Sequence, residues 1–438
     1  MKSTYLNRLL TAVVLMMMFA VSAHAQITER AGFGKYALVG GTIHTITQGT
    51  IETGVVLING HRIERVSDEL TIPDGYERID VSGKHVYPGF IDSGTRLGLI
   101  EISAVPVTVD DAEVGTFNPN MRAFTAINPN SVSIPVTRVS GVTTVIAHPT
   151  SGVISGKATL IDLFGYSPDS MAVKADAGLF IEWPTSGRRG WWDQRSEQDR
   201  MKEYEKNLRE LYDFFDAAKA YHRMWELWSA SPAGKVQPNR NQLLNAMRPV
   251  ISGELPVIIN VDREHDIRNV LDWIAKFDGM YVILSSVAEG WRVASEIAES
   301  GIPVLAGPVL STPTRGYDNY QRPYQNAGLM AKAGVKVAIR TGETENVRNL
   351  PYHAGYAAVY GMGKEEALRA VTITPAQIFG VDDEIGSIEV GKRANLFVSD
   401  GDPFEVLTNI SYVFINGYNV PMVSRQTQLY QQFIDRNP

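Results

Sequence analysis

Val142-Thr143-Thr144-Val145-Ile146-Ala147 is an apolar, strand-like run. Further runs of the same texture lie at Val257 to Val261, Tyr281 to Leu284, Val304 to Ala306 and Val335 to Ile339. Helix-like stretches such as Trp291 to Glu299 and Glu365 to Val371 separate several of them. Later strand starts recur every ~20–35 residues, the spacing of βα units. That many units within ~300 residues favour a (β/α)8 barrel of the TIM type over an open sheet.

Both flanks read differently. Val55 to Ile58, then Asn59-Gly60, then Arg62 to Val66 is a hairpin signal. Near the other end, Ala394 to Val398 is strand-like, and Tyr412 to Ile415 runs into a second such pair, Asn416-Gly417. Each end holds too few strands to bury a face alone. The expectation is an α/β chain whose barrel, residues 88–385, carries a composite β-sandwich domain built from residues 26–87 and 386–438. Within the barrel region, Tyr204, Leu208, Leu211, Phe215 and Ala218 recur at helical spacing, and Trp225 and Trp228 close the stretch. That helix packs on the barrel or, with Gly190-Trp191-Trp192 ahead of it, serves as a substrate cap or partner surface.

The chain has 438 residues, 44% apolar and 20% charged, with a net charge of −7. This composition suits a folded protein with a sizeable core. There is no basic block, so nothing argues for nucleic-acid binding. The absence of cysteine excludes disulfides, thiolate metal sites and a cysteine nucleophile. Lys2 and Arg8 precede the apolar run Leu9 to Val21, and Ala23-His24-Ala25 follows. This pattern predicts a signal peptide over residues 1–25, export to the periplasm or medium of a bacterium, and no membrane attachment after cleavage.

Several motifs carry a family likeness. His85-Val86-Tyr87-Pro88-Gly89-Phe90-Ile91-Asp92 resembles the first barrel strand of the amidohydrolase superfamily, P-G-hydrophobic-I-D-x-H-x-H. Thr374-Pro375-Ala376 resembles a helix start of that superfamily, and Gly386 to Leu396 resembles its G-x-I-x-x-G-K-x-A-D-L signature. Asn346 to Pro351 is similar to the segment after strand eight in the imidazolonepropionase-like branch. The resemblance implies a (β/α)8 barrel with a β-sandwich from both chain ends, and hydrolysis of C–N bonds or small dipeptides by one or two divalent metals such as zinc. There the metal makes a hydroxide near neutral pH and polarises the scissile carbonyl.

The ligand positions that the resemblance implies hold other residues. The H-x-H positions are Gly94 and Arg96, the strand-four position is Phe180, and the strand-five position is Asn260. The strand-six position is Ser285, and the strand-eight position, a general base in the family, is Gly342. Glycine and phenylalanine ligate nothing through their side chains, arginine repels a cation, and asparagine and serine are weak ligands for zinc. The expectation is a degenerate member with no metal, no catalytic residue and no cofactor, a pseudoenzyme that binds or scaffolds a partner such as an intact amidohydrolase paralogue. An active hydrolase with a rearranged site is the alternative.

His148, His265, Asp266 and Glu343 are the best improvised metal set, although their spacing matches no ligand motif. Arg96 and Arg340 are the candidate ligand-binding pair. Strands one and eight are neighbours in a closed barrel, so the two side chains can converge. They either pair with internal acids such as Asp92 and Glu343 or hold a small carboxylate.

Overall fold

In the nine-stranded sheet, strands from the two chain ends lie side by side. The computed structural model describes residues 30–438 apart from 70, 188–192, 235, 278, 435, 437 and 438. The expected signal peptide and Gly190-Trp191-Trp192 lie outside the described residues. Residues 32–438 form one compact unit.

From the N-terminal side the sheet takes β1 (Gly32–Phe33), β2 (Lys35–His44), β3 (Thr50–Asn59), β4 (Arg62–Ser67), β5 (Glu77–Asp80) and β6 (His85–Pro88). The barrel strands are β7 (Phe90–Thr95), β8 (Val142–Ala147), β9 (Ile154–Asp162), β10 (Ala172–Glu182), β11 (Val257–Val261), β12 (Val282–Ser286), β13 (Val304–Ala306) and β14 (Val337–Ile339). The C-terminal side returns β15 (Leu396–Ser399), β16 (Ile410–Ile415) and β17 (Tyr418–Val420) to the first sheet. β15 pairs antiparallel with β6, Phe397 opposite Tyr87, and β17 pairs with β1. The Asn416-Gly417 turn joining β16 to β17 has φ of 49° and 79°, the doubly positive geometry that this dipeptide accommodates. Tyr36, Leu38, Val56, Ile58, Leu396, Val398 and Phe414 share one buried core. Truncating the chain after Glu384 is therefore expected to strip hydrogen-exchange protection from residues 36–80; retained protection there would show that the N-terminal strands stand alone.

The barrel sheet runs in chain order from β7 to β14. Its ends meet where Gly342 N donates to Gly94 O at 3.0 Å and Ser93 Oγ donates to Ile339 O at 2.8 Å. One strand departs from the all-parallel expectation. β9 is antiparallel to both β8 and β10. The link between β8 and β9 is too short for the crossover that a parallel pair needs.

The long amphipathic helix spans Glu197–Ala230 and starts where Ser196 Oγ accepts from Asp199 N at 3.1 Å. It buries Tyr204, Leu211, Phe215, Ala218, Tyr221 and Trp225. Leu211, Phe215 and Ala218 belong to the same core as the outward-facing barrel residues Leu179 and Ile259.

Candidate functional site at the barrel mouth

Side chains on a strand alternate faces, so the barrel interior can be read in steps of two. Ile146, Phe180, Ile258, Ile283, Leu305 and Ala338 share the enclosed apolar core of the barrel, closed from below by Ile378 and Phe379. Two residues further along each strand direction stand His148, Glu182, Asn260, Ser285, Gly307 and Arg340. These positions form the next layer up, at the strand C-termini where sites of this fold are built. Beside it opens a cavity of about 580 Å³ bordered by Val153, Glu182, Trp183, Asn260, Asp262 and Thr314.

Arg340 occupies the centre of the layer and is 6% exposed. Its Nη1 donates to Asn260 Oδ1 at 3.2 Å and to Ser285 Oγ. Its Nη2 donates to His148 Nε2 at 3.0 Å. Because Nε2 accepts, the imidazole is neutral and its proton sits on Nδ1, which faces Pro149 O at 3.2 Å. Burial first, and the adjacent Arg340 second, hold His148 well below the ordinary histidine value. His148 also stacks on Phe180, with ring centroids 3.9 Å apart. Asn260 Nδ2 in turn donates to Glu182 Oε2 at 2.9 Å.

Gly94 makes room for the guanidinium. A Cβ there would stand 2.7 Å from Arg340 Nε and 2.9 Å from Cζ. Asp92 lies below, fully buried, and accepts from Gly94 N at 3.0 Å, Thr341 N at 3.2 Å and Thr341 Oγ1. Burial pushes its carboxyl up to about 6, against the pull of those hydrogen bonds and of Arg340. Burial likewise presses Arg340 below the ordinary arginine value, while Asp92, Glu182 and Asp262 act to hold its charge.

Arg96 and Arg340, the expected pair, engage different partners. Arg96 is 38% exposed at its side chain and reaches Asp111 at 3.4 Å. Neither arginine is hydrogen-bonded to a carboxylate of Asp92 or Glu343; Glu343 offers its backbone oxygen to Arg96 N at 3.2 Å. The two terminal nitrogens of Arg340 are engaged by neutral protein acceptors, so no shared fork faces a carboxylate ligand. The improvised metal set is not assembled either. His265 meets Asn269 at 3.1 Å, and Asp266 accepts from Thr185 at 2.8 Å.

The strand-four position also moves. Phe180 lies in the apolar layer, and Glu182 is the residue level with Asn260 across β10 and β11. Glu182 and the role of His148 as a cap on Arg340 escaped the motif comparison. The step of two from the apolar run marks both residues as facing the mouth; their partners follow from register and barrel closure.

A divalent metal does not fit these residues. Gly94 and Gly342 present no side-chain donor atom, and Gly342 sits at a φ of 69°, where a side chain is strained. The lone pairs of His148, Asn260 and Ser285 point at a cation already there. Among the described residues, no three His, Cys, Asp or Glu side chains gather closely enough to hold a metal ion.

Comparison with known proteins agrees with the architecture. Residues 324–420 match the model of the amidohydrolase family. An amidohydrolase from Thermotoga maritima MSB8 superposes with a TM-score of 0.77 at 25% identity, covering 89% of this chain and all of that one. The fold is thus that of the amidohydrolase superfamily. Among curated relatives, N-substituted formamide deformylase of Arthrobacter pascens is 57% identical over 44 residues, 10% of this chain and 8% of that protein. Imidazolonepropionase of Sphingopyxis alaskensis is 44% identical over 57 residues, 13% of this chain and 14% of that enzyme. The matched stretches thus span only a small part of these relatives.

Proposed function

We propose that this amidohydrolase-fold protein is a non-catalytic member of its superfamily, exported by virtue of residues 1–25, that binds or scaffolds a partner instead of hydrolysing a C–N bond. The observation that carries the proposal is the seat of Arg340. A superfamily hydrolase uses a metal ion at the strand C-termini to make hydroxide near neutral pH. Here a guanidinium fills that place, and the side chains that would ligate a metal are its hydrogen-bond acceptors. Arginine can neither deliver hydroxide nor accept a proton at neutral pH, because it stays protonated. The neutral His148 is turned toward Arg340 and away from the role of a free base. An intact amidohydrolase paralogue is the partner this reading favours, since a shared fold brings related surfaces to a common assembly.

Elemental analysis of purified protein after dialysis is expected to find no stoichiometric zinc, manganese or iron. About one equivalent of metal per chain, together with dipeptide hydrolysis abolished by a chelator and restored by zinc, would overturn the proposal in favour of an active, rearranged site.

A further inference from the structure

A long loop joins β13 to the helix Arg322–Lys332. It leaves the barrel at Val309, whose side chain is buried and whose N–H donates to His353 Nδ1 at 3.2 Å. From Leu310 to Gln321 no side chain is buried. Apolar packing therefore does not hold this segment down, and its anchorage to the barrel is polar.

Glu289, in the turn after β12, is the main anchor and is 1% exposed. Arg315 Nε donates to its Oε1 at 2.6 Å, and Arg315 Nη2 to its Oε2 at 2.7 Å. Thr314 Oγ1 also donates to Oε1, at 2.7 Å. From outside the loop, Glu264 N donates to Oε2 at 2.9 Å. Further fastenings run from Arg315 Nη2 to Glu264 Oε2 at 3.4 Å and from Asp318 to Arg292. Against burial, which raises it, Arg315, Glu264 N and Thr314 bring the Glu289 carboxyl down to about 2, so it stays charged at any ordinary pH. Ala288 and Trp291 beside it are partly exposed, so lifting Thr314 and Arg315 returns the carboxylate to water and strands no charge.

Thr314 borders two spaces. One is the cavity of about 580 Å³ at the barrel mouth. The other is a hollow beneath the loop, which it shares with Ser286, Trp291, Val309 and Asn326. We propose that residues 310–321 are a latched lid: Arg315 and Thr314 fasten them to Glu289, and release of that latch opens the hollow toward the barrel-mouth cavity and admits a small molecule. A segment without buried side chains opens locally, at a cost well below that of unfolding the barrel. The latch consists of charge-assisted hydrogen bonds, which are strong when closed and replaceable by water when open. The lid goes beyond the proposed function and does not require it.

The chain has no cysteine, so a single introduced thiol reports access. Ser286→Cys is nearly isosteric, at a side chain 8% exposed under the lid. Its reaction with a neutral maleimide should be slow in the otherwise unchanged chain. Adding Arg315→Gln should speed it about tenfold or more, the worth of one hydrogen bond to a charged group. Arg315→Gln leaves Glu289 charged without its partner, so the pair Arg315→Gln/Glu289→Gln, which carries no such charge, is measured beside it and should label as fast. Ala37→Cys, fully buried in the first sheet, reports global unfolding, and its rate should not move in either background. Labelling of Ser286→Cys at the rate of a free thiol in the otherwise unchanged chain would show that no lid covers it. Labelling unmoved by both latch variants, or accelerated equally at Ala37→Cys, overturns the inference.

Discussion

Replacing Arg340 with alanine is expected to destabilise the fold by about 3–5 kcal/mol, the range for removing one member of a buried charge network. The substitution strands Asn260 Oδ1, Ser285 Oγ and His148 Nε2 without their shared donor. It also removes the cation that helps to hold the charge of fully buried Asp92. One control separates the causes. Arg340→Met refills most of the volume but supplies neither donors nor charge. If packing dominated, methionine would recover most of the loss; the hydrogen-bond and charge account predicts that it recovers less than half.

The loss should also depend on pH. The folded protein holds the Asp92 proton up to about pH 6, whereas an unfolded chain releases it near ~3.9. A folded-state value raised in this way lowers stability as pH climbs through that window. Without Arg340 the folded-state value rises further, so the cost of Arg340→Ala should grow between pH 4 and pH 8. Urea unfolding at several pH values measures it. A loss below about 1 kcal/mol at pH 8 would mean that the guanidinium is dispensable filler. A companion cycle uses Gly94. Gly94→Ala places a methyl against Arg340 and should cost much more in the parent than in the Arg340→Ala background. The two positions are thus coupled: a histidine at 94, as in the motif this strand resembles, cannot coexist with Arg340 as it lies.

The second large effect is expected from Asn395→Asp, which would restore the aspartate of the signature that Gly386 to Leu396 resembles. In this chain Asn395 Nδ2 donates to Asp162 Oδ1 at 2.7 Å and to Thr144 Oγ1 at 3.2 Å. Its Oδ1 accepts from Asn416 N at 2.6 Å. The amide thus ties barrel strands β8 and β9 to the turn between β16 and β17. Asp162 is 1% exposed, and burial already raises its carboxyl above the usual range, although Arg393 lies nearby. A carboxylate at 395 could not donate and would set a second acid against the first. The expected loss is about 3 kcal/mol or more at pH 8. Two adjoining buried acids hold a shared proton to higher pH in the folded state, so the deficit should shrink on going from pH 8 to pH 5. Chemical unfolding at the two values decides it. A variant as stable as the parent at pH 8 would show that the Asn395 amide is not the link between the two sheets.

Much of this molecule was legible in local pattern. Val142 to Ala147 and its later counterparts are barrel strands because apolar, β-branched runs suit a sheet buried on both faces. The Asn416-Gly417 turn was legible because that dipeptide tolerates the required backbone. The identities of the residues at 94, 96, 260, 285 and 342 were likewise plain from the chain.

The reversal of β9 follows from the short link after β8, whereas two features were settled in tertiary structure alone. The level at which a residue meets the mouth depends on inter-strand register, which is why Glu182 stands beside Asn260 while Phe180 lies one layer below. The partners of Arg340 depend on closure. His148 is separated from it by 192 residues and Asn260 by 80, distances along the chain over which no periodicity carries information. Sequence by itself determined that the strands would form and which residue types they would carry to the mouth. Only the folded barrel decided that a single guanidinium, admitted by Gly94, would gather the groups left behind, because those contacts exist only once all the strand ends are brought to one level.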